Sequence, residues 1–155
     1  MRPAALSSSL LVLLALAVAG CFGGSGQSAS SQASPAFHNQ ALAICRRTQR
    51  QVVALGAPGA VASLPALARQ GAKLVALQRH EIAQLSALTP PASDAAAVEG
   101  ALRAMDAATA ESARLVAYAR ANDPSAVTAQ QKVVTASVAA ANRALAPLGL
   151  NVCGG

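Results

Sequence analysis

Two kinds of apolar pattern run along this chain. Leu10-Leu11-Val12-Leu13-Leu14-Ala15-Leu16-Ala17-Val18-Ala19 is an unbroken apolar run, too short for a spanning helix, which needs roughly 20 such residues. Beyond position 34 the apolar residues recur every three or four places, the spacing of one helix face. Phe37, Ala41, Ile44, Thr48, Val52 and Leu55 mark a first helix. Leu67, Leu74, Leu77, Ile82, Leu85 and Leu88 mark a second, with Gly71 on the same face, where a missing side chain lets a neighbouring helix come close. Val98, Leu102, Met105, Val116 and Ala119 mark a third, and Val127, Val134, Val138, Ala141 and Leu145 a fourth.

Punctuation between the stripes agrees with them. Ser34-Pro35 places a capping side chain before a proline at the first helical position, and Asp123-Pro124 repeats the device. Ser63 or Leu64 opens the second helix, and Ser93 or Asp94 caps the third. Gly56 with Pro58, Thr89-Pro90-Pro91, Asn122 and Pro147 with Gly149 are the stops. The tail Leu148-Gly149-Leu150-Asn151-Val152-Cys153 alternates apolar with small or polar residues and is predicted to be an extended strap. The fold class expected is all-α: an up-down-up-down four-helix bundle, whose even number of antiparallel helices returns the chain to the end where it started. A tail of this length can then reach Cys45, roughly 15 Å along the first helix.

The first apolar run follows Arg2 and reads as the hydrophobic region of a secretory signal. Its end, Val18-Ala19-Gly20-Cys21, resembles the lipobox of bacterial lipoproteins: an aliphatic residue, two small ones and a cysteine. That resemblance implies diacylation of Cys21, cleavage before it, and a chain held at the membrane on its extracytoplasmic face. Ala17-Val18-Ala19 also fits an ordinary leader-peptidase site, the alternative reading. Residues 22–33, rich in Gly, Ser and Gln, form a flexible tether on the order of 20 Å in reach, which favours the anchor. The organisation expected is therefore a signal at 1–20, lipidated cysteine and tether at 21–33, and one bundle domain at 34–155.

Composition narrows the picture. Hydrophobic residues make up 54% and aromatics only 2%, and alanine supplies about half of the former, which suits closely packed helices. The formal net charge is +6; for an exported, anchored chain this points to anionic envelope components, not to nucleic acid. With Cys21 taken by lipid, Cys45 and Cys153 remain as a pair outside the cytoplasm, where disulfides persist. A redox-active or metal-binding role for them is disfavoured, because no C-x-x-C spacing or neighbouring histidine is present.

Catalytic patterns fail one by one. His80-Glu81 begins like H-E-x-x-H, but Gln84 stands where the second histidine belongs. No Glu-x-x-His pair supports a di-iron site, and no G-x-S-x-G elbow occurs. Haem ligation by His38 or His80 with Met105 lacks the aromatic walls of a porphyrin pocket. No catalytic residue, metal or cofactor is assigned. A set of polar residues does fall on inward stripes: Thr48, Gln78, Glu81, Thr109, Ser112 and Gln131. They are expected to form a hydrogen-bonded layer that sets register, or to drift to solvent, or to line a small polar pocket around Glu81. Arg46, Arg47, Arg50, Arg69 and Lys73 form basic outer faces, either solvated surface or electrostatic docking sites.

Taken whole, the mature domain resembles the small, alanine-rich helical lipoproteins of high-GC bacteria, on Cys45, Thr89-Pro90-Pro91, Asn122-Asp123-Pro124 and the closing Gly149-Leu150-Asn151-Val152-Cys153-Gly154. That resemblance transfers no functional residue. The function expected is non-enzymatic: a membrane-anchored module that binds an envelope protein. The alternative is a small-ligand or sensor bundle built on the polar layer.

Overall fold

The computed structural model describes residues 35–56 and 63–153. The leader, Cys21 and the tether lie outside them. Four helices form: α1 (Pro35–Ala54), α2 (Leu64–Ser86), α3 (Ala95–Arg120) and α4 (Pro124–Leu145). No strand occurs among the described residues, and the helices pack in chain order, α1 on α2, α2 on α3 and α3 on α4. This is the four-helix bundle expected.

Local chemistry places the helix ends. The Ser63 hydroxyl accepts from the Ala66 N–H at 3.4 Å, and the Asp123 carboxylate accepts from the Ala126 N–H at 2.9 Å, each satisfying an N–H with no partner inside its helix. Asp94 stands at the cap position of α3 but makes no capping bond; it accepts from the Ser93 hydroxyl at 3.1 Å instead. At the other end of α3, Asn122 takes a left-handed conformation, φ 55°. The Asp123 N–H reaches back to Tyr118 O at 3.1 Å and the Asn122 N–H to Ala119 O at 3.2 Å, the paired bonds of a Schellman stop.

The tail differs from the extended strap expected. It winds as two 3₁₀ turns, Ala146–Leu148 and Asn151–Cys153. Gly149, with φ 67°, closes the first turn, and the Leu150 N–H bonds Leu145 O at 3.2 Å. A second Schellman stop thus forms with glycine at its left-handed position. Winding gives the carbonyls of Leu145, Ala146 and Leu150 N–H partners close by in the chain, whereas a single extended strand beside a helix leaves its backbone groups unpaired. Leu148, Leu150 and Cys153 are all buried. The second turn lies against both α1 and α4, whose backbones meet each other much less, so the tail closes the side of the bundle between them.

The core is lopsided. Its main cluster joins Phe37, Ala41, Cys45, Leu85, Val98, Met105, Leu145, Leu148 and Leu150 at the tail end. At the opposite end a small cluster holds only Ala68, Ala119 and Val127, edged by Leu64 and Leu67. On α2 the buried line runs through Ala68, Val75, Glu81 and Leu85, so Leu74 and Leu77, expected at its centre, flank it half-buried.

Candidate functional site

The most unusual chemistry sits where α1, α2 and the tail meet. Cys45 and Cys153 are joined in a disulfide across 108 residues, with Cα atoms 4.7 Å apart. Cys45 is wholly buried, and Cys153 is 6% exposed. Beside them α2 brings in Glu81, itself 4% exposed, with a carboxylate oxygen within 4.8 Å of both sulfurs. Burial pushes this carboxyl up to about 7, because removing it from water penalises the charged form. While the disulfide is closed both sulfurs are committed to each other, so the three groups do not make a metal site.

The other residues expected in a polar layer do not join Glu81. The hydroxyls of Thr48, Thr109 and Ser112 donate to Ile44 O, Met105 O and Ala108 O, one turn back on their own helices. Gln78 is half-buried, and its side-chain oxygen has no partner. Gln131 is exposed, which corrects the inward position expected for it. The buried glutamine of α4 is its neighbour Gln130, whose Nε2 donates to Glu111 O at 3.2 Å and to Glu111 Oε2 at 2.7 Å. Gln131 sits on the margin of the α4 stripe, and a one-residue error in phase there exchanges inside for outside. A hollow of about 10 Å³ lies in the apolar core near Phe37, Leu85 and Met105, about the room of a single water probe. It is not lined by Gln78, Glu81, Thr109 or Ser112.

An open groove of about 930 Å³ lies at the other end of the bundle, between the α1–α2 corner and the end of α3. Leu55, Ala68, Ala72 and Ala119 line it, together with Arg69, Lys73 and Arg120. The alanines contribute one-carbon side chains to its lining, which leave that space unfilled. Gln70 holds its wall, donating from Nε2 to Leu55 O at 3.2 Å and Gly56 O at 3.1 Å. The three cations are exposed. Of the basic residues singled out from sequence, Arg69 and Lys73 belong to this groove. Arg46, Arg47 and Arg50 lie exposed on α1, away from it. Arg120 was missed because it is far along the chain, on the helix that α2 packs against.

No family model, curated protein or solved structure matches the chain. None of the described helices is long and apolar enough to cross a membrane.

Proposed function

We propose that this chain is a lipid-anchored, extracytoplasmic helical module that acts by binding an envelope protein and not by catalysis, and that the cationic groove is its contact face. The single observation behind the reading is the groove itself: an apolar floor rimmed by Arg69, Lys73 and Arg120. Such a surface suits an acidic segment with one or two apolar side chains, whose charges find the rim and whose apolar groups cover the alanines. Position supports a protein partner over the lipid surface. The tether joins at Pro35, and the groove lies at the far end of α1, about 30 Å away at 1.5 Å per residue. The small-ligand alternative has less behind it, because Gln131 faces outward and Thr109 and Ser112 bond only their own helices.

The test is photo-crosslinking in cells from position 72, in the groove, and from position 140, exposed on α4. A discrete protein adduct is expected from position 72 and not from 140, lost in Lys73→Glu/Arg120→Glu and in Cys21→Ala. Equal labelling from both positions, or none with the protein correctly anchored, overturns the reading.

A further inference from the structure

A structural disulfide in a helical core has no need of a carboxyl group beside it. Burying Glu81 there is costly, and a leucine or glutamine would fill the space at less cost. No hydrogen bond holds the carboxyl among the described residues, while both sulfurs lie within 4.8 Å of it. The two sulfurs are also unequal. Cys45 is 0% exposed in the middle of α1, whereas Cys153 sits in the last 3₁₀ turn. The backbone bonds of that tail run to Leu145, Ala146 and Leu150 and none to α1, so Cys153 is held to α1 by side-chain packing and the disulfide alone, and the chain-terminal turn is the side of the pair that local opening exposes first.

We propose that Cys45–Cys153 is a thiol–disulfide exchange site for a dithiol, with Glu81 as the built-in acid that protonates Cys45 as it leaves. One thiolate of the dithiol attacks Cys153 Sγ, the bond between the two cysteine sulfurs breaks, and its electron pair passes to Cys45 Sγ. That sulfur takes the Glu81 proton, leaving a thiol and a carboxylate. The second thiolate of the dithiol then displaces Cys153, closing the dithiol into its own disulfide, and the Cys153 thiolate is protonated by water. Two electrons move from the dithiol to this chain. The two protons the dithiol gave up to solvent on ionising are matched by those gained at Cys45 and Cys153, once water reprotonates Glu81.

The need for an acid follows from burial. An anionic sulfur forming at Cys45, out of reach of water, is a poor leaving group until it gains a proton. Glu81 is half protonated near neutral pH because burial raises it to about 7. Among the described residues no other charged group takes this part. On α1, Arg46, Arg47 and Arg50 are exposed; on α2, Arg79 and His80 are exposed; on α3, Arg103 and Asp106 are exposed. His38 lies against Gly149 in the tail. The raised Glu81 value has burial as its only cause.

The experiment is the rate of reduction of the full chain by dithiothreitol between about pH 5.5 and 9, divided by the dithiothreitol thiolate present at each pH. The normalised rate is expected to fall about a hundredfold with rising pH, with its midpoint near 7. Glu81→Gln should give a flat profile, about a hundredfold slower on the acid side. His38→Gln and His80→Gln should keep the wild-type midpoint. A flat wild-type profile overturns the proposal, and this arm stands even if Glu81→Gln does not fold. A midpoint retained in Glu81→Gln, or lost in either histidine variant, overturns it equally.

Discussion

A Cβ placed on Gly71 would lie 2.7 Å from Cγ2 of Val116. That contact is closer than carbon atoms tolerate, so the absent side chain at Gly71 sets how near α2 approaches α3. Gly71→Ala gains helix propensity but must push Val116 aside, and is expected to lower stability by about 1–2 kcal/mol. Gly100, on α3, is the control: an added Cβ meets nothing within 4 Å. Gly100→Ala should raise stability by about 0.5–1 kcal/mol. Urea unfolding of the two variants with the disulfide intact measures both effects.

The Cys45–Cys153 link closes a loop of 108 residues, restricting the unfolded chain far more than the folded one. Cys45→Ser/Cys153→Ser is expected to lose about 2–4 kcal/mol. Helical circular dichroism at low temperature should remain close to wild type, since α2, α3 and α4 pack on each other independently of the link. Thermal melts of oxidised protein and of the double variant make the comparison.

Glu81 gives stability a definite slope with pH. Its value in the fold is about 7 against an ordinary 4.5, so between these limits the unfolded chain has released a proton that the folded chain still holds. Stability therefore falls as pH rises through this window, by about 3 kcal/mol in total, and levels off above it. Glu81→Gln should match wild type at the acid end and exceed it by about 3 kcal/mol at about pH 8. Denaturant titrations at the two pH values read this gap; an equal gap at both would remove burial of the carboxyl as its cause.

Gln130 and Gln131 are adjacent, and only one is anchored. Gln130 ties α4 to Glu111 of α3 through two hydrogen bonds, so Gln130→Ala should cost about 1–2 kcal/mol, leaving Glu111 half-buried without that donor. Gln131→Ala, at an exposed position, should change stability by less than about 0.5 kcal/mol. Thermal unfolding of the pair separates them.

Most of the bundle was legible along the chain, because helix faces and stops are local properties. The caps at Ser63 and Asp123 and the stops at Asn122 and Gly149 depend on residues within a few positions of one another. The close approach at Gly71 was legible too, as a gap in an apolar stripe. The Cys45–Cys153 pair followed from counting cysteines. Legibility ended where phase mattered: Gln131 for Gln130 on α4, and Leu67 and Leu74 for Ala68 and Val75 on α2, are each misplaced by one residue. A helix repeats every 3.6 residues, so a stripe read from spacing alone is uncertain by the angle one residue subtends.

The sequence by itself determined four helices, their ends, their antiparallel order and the two cysteines left to pair, since these rest on hydrogen bonds and apolar periods within single segments. Only the tertiary structure decided that Glu81 stands beside the disulfide, that Arg120 joins Arg69 and Lys73 at one groove, and that the tail coils instead of stretching. Each of these depends on how one helix is rotated and set against another. That is governed by the packing of side chains far apart in the chain, and no local pattern records it.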